Sequence, residues 1–338
     1  MEQAAAEAYV VVFLGRFLSI LYEAMPFIVL GAVIAGFLEE LVPQQLVSRF
    51  VPRNHAVAIA FSALLGLLFP MCECGIVPVM RRLLRKGLPL SCCIAYMLAG
   101  PIINVVVISS TLVAFAKHVN GYWIVGLRIG LGYLVAVGTA LIVHVQYRKY
   151  GNQLLKPLAA PSPHAHAEED LKASVERRTV MKRLGNITET ALHDFVDITL
   201  FLILGAILAA GVGLLVSRSD MESLSKTYPA LAILAMMGMA ILLCLCSEAD
   251  AFVAASFTAL HPAAKLAFLV LGPMLDLKLF MMFTRVFRFR LIWTIVIALI
   301  VQVFFWSMLT YYGWETGLVE RLNEMFQSSS EPSLSSAK

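Results

Sequence analysis

The chain has 338 residues, of which 60% are hydrophobic and only 14% charged, with a net charge of +4 and a mean hydropathy of +0.82. These values exclude a soluble enzyme with one large core and a disordered chain, and they predict an all-α protein that crosses a bilayer several times. The basic residues lie in loops beside apolar runs, so they read as topology signals and not as a patch for nucleic acid. Six cysteines lie in or beside apolar sequence and none in the polar linker, which argues against an extracellular disulfide framework. Residues 1–7 carry no basic cluster, and the apolar stretch after them is too long for a cleavable signal peptide.

The first apolar segment runs over about 8–41 and carries Glu23 and Pro26, so a tilt or bend near Pro26 is expected. The second, about 56–80, contains Phe69-Pro70-Met71-Cys72-Glu73-Cys74-Gly75 and ends in the basic run Arg81 to Lys86, which predicts a cytoplasmic end. Pro70 cannot donate a backbone hydrogen bond and disfavours helix at Phe69, while Gly75 and Pro78 weaken any helix that resumes at once. The third segment, about 88–116, is interrupted at Gly100-Pro101, and the fourth, about 122–145, ends at Arg148-Lys149. Residues 147–188 form a polar linker rich in Pro, Ala and Ser, predicted to be cytoplasmic from its eight Lys and Arg between Arg148 and Arg183. Four further apolar segments follow at about 192–217, 229–258, 263–284 and 291–312, before a Ser-rich, disordered tail at 314–338.

The second half repeats the first. Cys244-Leu245-Cys246 restates the Cys-x-Cys spacing 172 residues after Cys72, and Gly272-Pro273 follows it as Gly100-Pro101 follows Cys74. At that offset Gly66 meets Gly238 and Asn104 meets Asp276. An offset two residues larger aligns Glu23 with Asp197, Phe27 with Phe201 and Gly31-Ala32 with Gly205-Ala206. Residues 1–146 and 189–313 are therefore read as two homologous transmembrane repeats of about eight spans in all, with helices broken at Cys-x-Cys and Gly-Pro. Such duplicated halves with discontinuous helices are how many secondary transporters are built. Eight full crossings with a cytoplasmic linker make the halves parallel. The exchange of basic clusters between them, Arg81 to Lys86 in one and Arg285, Arg288 and Arg290 in the other, is what inverted halves produce.

Lipid cannot satisfy the backbone that a helix break exposes, so a break is tolerated only where protein or a water-filled cavity surrounds it. Thiols at such breaks suit soft ions and metalloids, which makes Cys72, Cys74, Cys244 and Cys246 candidate substrate ligands; the alternative is that they are small buried hydrophobes. Asn104 and Asp276 either ligate substrate or cap a half-helix. Glu73, Glu248, Asp250, Glu23 and Asp197 are carboxylates in apolar sequence, where such groups face a cavity, carry protons or pair with a cation. Pro70, Gly75, Gly100, Pro101, Gly272 and Pro273 are the helix-breaking positions. The vicinal Cys92-Cys93 and the run Met236, Met237, Met239 read as packing, and His164 and His166 as a weak metal motif in a flexible linker. No phosphate-binding loop, zincin helix or Ser/His/Asp arrangement is present, so no catalytic residue and no cofactor are assigned and ATP-driven pumping by this chain alone is disfavoured.

These motifs resemble the bacterial predicted-permease family that includes the organoarsenical efflux permeases (ArsP-like), through Phe69 to Gly75, Gly100 to Asn104, Cys244 to Asp250 and Leu271-Gly272-Pro273-Met274-Leu275-Asp276. The resemblance implies a multi-pass permease of the inner (plasma) membrane. Some members export trivalent organoarsenicals such as methylarsenite, which thiols bind by exchange. The partners implied are a small-molecule or metalloid substrate and the lipid bilayer, with no nucleic acid and with a homo-oligomer left open. Two alternatives stand beside proton-coupled arsenical export: carriage of another soft metal ion or small sulfur compound, and a membrane thiol oxidoreductase. The second is less favoured because Cys-x-x-Cys is the usual redox spacing.

Overall fold

A computed structural model describes residues 2–41, 52, 54–67, 71–118, 121–151, part of 188–211, 229–257 and 260–317. The described chain is helical throughout its ordered elements. In order these are α1 (Glu2–Leu41), α2 (His55–Ala63) with a 3₁₀ turn (Leu64–Leu67), α3 (Glu73–Arg85), α4 (Leu90–Ala99), α5 (Val105–Phe115) and α6 (Gly121–Tyr150). Then follow α7 (Pro229–Leu243), α8 (Asp250–Ser256), α9 (Pro262–Leu271), α10 (Leu277–Val286) and α11 (Phe289–Glu315). The described positions between 188 and 211 are helical as well.

Among the described residues, three helices are long and apolar enough to cross a membrane: Val10–Phe37 within α1, all of α6 and all of α11. α1 runs without interruption through Pro26. On α11, Trp293, Ile297, Val301, Phe305 and Leu309 are exposed at a spacing of four. That spacing keeps each next to the one before it in a stripe that winds slowly around the helix, as expected of a surface that meets acyl chains. The remaining described apolar segments are divided into helices of 7 to 15 residues, with interruptions between α2 and α3, α4 and α5, α7 and α8, and α9 and α10.

One local expectation is overturned. Helix resumes within the first Cys-x-Cys itself, because α3 starts at Glu73 and contains Cys74, Gly75 and Pro78. The backbone N–H groups of Gly75 and Ile76 both donate to the Cys72 carbonyl, at 3.1 and 3.2 Å. The whole stretch from Met71 to Leu84 is buried. Backbone groups left open there would cost more than a proline does in the second turn of a helix, so closure wins.

The interrupted helices form the core, and every residue of α4 is buried, as is α9 from Ala263 onward. α4 packs against both α2 and α6, and α9 packs against both α7 and α11. Contacts between α6 and α11, α5 and α8, and α3 and α10 tie the early helices to the late ones. Glycine permits close approach at several points. A Cβ on Gly31 of α1 would stand 2.5 Å from the Gly75 carbonyl oxygen of α3, and one on Gly205 would stand 2.8 Å from Cα of Lys278 in α10. Both obstacles are backbone or next to it, and packing through small residues is the usual means by which membrane helices come close. Gly31→Val is therefore expected to push α1 away from α3 and destabilise the protein by about 1–3 kcal/mol, the usual cost of overpacking. Thermal unfolding of the purified protein in detergent measures this, and an unchanged midpoint would contradict the close packing.

Candidate functional site

Each Cys-x-Cys sits where one helix begins or ends. Cys72 is the N-cap of α3, with an extended backbone, and its side chain makes no capping bond, so its sulfur is left to face elsewhere. Cys74 and Glu73 occupy the first turn of α3, where a helix favours negative charge. At the second break α7 ends at Leu243, and Cys244 takes φ +48°. That left-handed conformation normally ends a helix at glycine, and a side chain held there signals a backbone fixed by its surroundings. The Cys246 carbonyl then accepts from Ala249 and Asp250 N–H, both at 3.0 Å, as the Cys72 carbonyl accepts from Gly75 and Ile76. The two breaks thus close their backbones in the same way.

The four cysteines come together. Cys72, Cys74, Cys244 and Cys246 line one small cleft with Glu23, Glu73, Lys278, Ile20 and Ala24. Ligand atoms of Cys72, Glu73 and Cys246 lie within 4.8 Å of one another, and so do those of Glu23, Cys246 and Glu248. Cys246 Sγ donates to Glu248 Oε2 at 3.2 Å. Lys278 Nζ donates to Glu73 Oε1 at 2.8 Å and stands 3.5 Å from Asp276 Oδ2, with all three side chains at most 2% exposed. Glu73 Oε2 and Asp276 Oδ2 have no hydrogen-bond partner. One ammonium thus faces several carboxylates, an environment that attracts positive charge.

The Gly-Pro turns support this cleft from behind. Asn104 caps α5, accepting from Val106 N–H at 2.9 Å through Oδ1, while its Nδ2 donates to the Met71 carbonyl at 3.3 Å, next to Cys72. Asp276 caps α10 by accepting from Leu279 N–H. Neither is among the residues lining the cleft. Gly100, Pro101, Gly272 and Pro273 are all buried at the corresponding turns. Cys93 is buried in α4 and donates weakly to backbone carbonyls of Met80 and Leu88, away from the cleft. Pro70, Asp197, Phe201, His164, His166 and the tail beyond Gly317 lie outside the described residues, while helix continues through the first residues assigned to the linker (147–150) and to the tail (314–315).

Asp250 is held apart from the sulfurs by a group that sequence reasoning passed over. Arg128 of α6, 1% exposed, donates to both Asp250 carboxylate oxygens at 2.8 and 2.9 Å, to the Ser247 carbonyl at 3.1 Å and to Thr111 Oγ1 at 2.7 Å. Its guanidinium fork therefore clamps the loop that carries Cys246 onto α5 and α6. Lys278 was missed for the same reason. Attention to acids within apolar sequence omitted these two bases, although a cation in such a stretch is as strong a signal as an anion.

A helical membrane protein with a buried cleft of sulfur and carboxylate groups, assembled where its helices break, has the build of a permease. The comparisons agree: the sequence model of the ArsP_1 predicted permease family matches residues 11–312, and the chain belongs to that family. It is 38% identical over 294 residues to UPF0718 protein YcgR of Bacillus subtilis, covering 87% of this chain and 95% of that one. It is 35% identical over 280 residues to a Streptococcus mutans protein named "Putative two-component membrane permease complex subunit", covering 82% and 88%. No solved structure matches the chain.

The clamp is open to measurement. Arg128→Ala leaves the Asp250 carboxylate buried without its partner, and a loss of about 3–5 kcal/mol in stability is expected. Replacing the pair together, Arg128→Met with Asp250→Leu, recovers most of that loss in detergent unfolding. Equal damage from the single and double changes would show that the ion pair is not what holds the loop.

Proposed function

We propose that the chain is a multi-pass permease of the inner (plasma) membrane that exports a soft, thiol-reactive substrate, foremost trivalent organoarsenicals such as methylarsenite. The observation that carries this reading is that cysteines from both breaks line one buried cleft. Methylarsenite exchanges two As–O bonds for two As–S bonds with a pair of thiols, releasing two waters, and the reverse exchange frees it. Because that exchange leaves the net charge unchanged, coupling to a proton gradient falls to the carboxylates beside the sulfurs. Glu23 and Glu248 are half-buried and within reach of Cys246, which suits them to passing protons between cleft and water.

In this reading residues 1–146 and 189–313 are homologous transmembrane repeats, 147–188 is their cytoplasmic linker, and 314–338 is a tail. Support comes from the repeated order of packing, α4 against α2 and α6 and α9 against α7 and α11. Rocking of one half against the other around the cysteines would expose the cleft alternately to the two sides. The relative named as a permease complex subunit makes assembly, with a second copy or another chain, part of the proposal.

Expression in an arsenic-sensitive bacterium is expected to raise tolerance to methylarsenite, and Cys72→Ser with Cys246→Ser is expected to abolish the gain at equal membrane abundance. Unchanged tolerance with confirmed membrane expression would rule out this substrate.

A further inference from the structure

The ligand set in the cleft holds more than an arsenical needs. A trivalent organoarsenical takes sulfur only, and Cu(I) likewise prefers soft donors, whereas two thiolates with a carboxylate suit borderline ions such as zinc and cadmium. Here the two sulfurs and a Glu73 oxygen stand within 4.8 Å of one another, and Cys72, Glu73 and Cys246 are all buried. Glu73 is held for such a task. Its Oε1 is anchored by Lys278 at 2.8 Å, while Oε2 is buried with no hydrogen-bond partner. A carboxylate fixed through one oxygen and open at the other is the arrangement that outer groups impose on metal ligands.

We infer that the cleft binds a divalent cation of the zinc and cadmium class through Cys72 Sγ, Cys246 Sγ and the unpaired carboxylate oxygen of Glu73. The inference rests on the proposed reading only in taking Cys72 and Cys246 as the ligand-bearing pair. Binding exchanges two S–H protons for the ion, so the net charge of the cleft is unchanged when both protons leave to water and rises by two when the cleft carboxylates keep them. Three protein ligands leave a fourth position open, as in zinc sites that exchange what they bind and unlike closed structural ones. Cys246 also belongs to the second set, with Glu23 and Glu248, which are half-buried where the first set is fully buried. An ion can therefore pass from the inner set to the outer one without letting go of Cys246, a stepwise route from buried cleft to surface.

The test uses the purified full-length chain in nanodiscs, titrated with cadmium and with cobalt and read by the sulfur-to-metal charge-transfer absorption. Saturable binding is expected, with the band lost in Cys72→Ser with Cys246→Ser and kept in Cys92→Ser with Cys93→Ser. Glu73→Gln is expected to lower cadmium affinity at least about tenfold, since even loss of a group that only orients a ligand has that effect. Phenylarsine oxide labelling, read by intact mass, needs the two thiols but no carboxylate, so its retention in Glu73→Gln shows that the cleft is still formed. Cadmium affinity unchanged by Glu73→Gln, or a band that survives loss of both cysteines, overturns the inference. Labelling by the arsenical without any cadmium binding overturns it too, while leaving the proposed function standing. Failure of both ligands removes both.

Discussion

The constraint on which the rest of this structure depends is that a bilayer supplies no hydrogen bonds. A helix interrupted within a membrane protein must find partners for its open backbone inside the protein, or the interruption does not persist. This chain meets the demand at both Cys-x-Cys segments by the same device, a cysteine carbonyl that accepts from the residues three and four further on. At the Gly-Pro turns it uses side chains, with Asn104 capping α5 and Asp276 capping α10. Closing the backbone locally leaves the Cys72 side chain free of any capping bond, and the cysteines of both breaks line the cleft.

Charge follows the same logic. Removing an ammonium or a carboxylate from water is expensive unless a partner comes with it. Lys278 is matched with Glu73 and Asp276, and Arg128 with Asp250. Each pair joins an early helix to a late segment, α3 to α10 and α6 to the start of α8. The two pairs differ in what they leave over. Arg128 bonds both Asp250 oxygens, a carbonyl and a hydroxyl, leaving only its Nε without a partner, which makes a fixed clamp. Lys278 leaves one oxygen on each of its carboxylates without a hydrogen bond, and Glu73, which carries one of them, lines the cleft with the thiols. One pair holds the fold and the other shapes the site.

Much of the design was legible in the sequence because it is written in residue types with fixed physical habits. Hydropathy announces a membrane protein, proline and glycine mark where helices stop, and cysteines and acids in apolar sequence stand out because solvation disfavours them there. The extent of the interruptions was harder to read. Gly75 and Pro78 argue locally against helix, yet α3 runs through both, since burial of Met71 to Leu84 makes an open backbone costlier than an awkward residue. Asn104 and Asp276 could be read as ligands or as caps from their spacing alone, and their hydrogen bonds put them on the helix ends.

The amino-acid order by itself determined the class of protein, the positions of the breaks and the chemistry offered at them, because each follows from local preferences and from transfer between water and lipid. Tertiary structure alone decided which of those groups meet. Cys72 and Cys246 are far apart in the chain, Glu73 and Lys278 farther still, and no periodicity links them. Their meeting depends on how closely the helices pack, set at points such as Gly31 against Gly75 and Gly205 against Lys278. It depends also on which buried charges must find one another. Those are properties of the packed whole, where one displaced helix would separate sulfur from carboxylate.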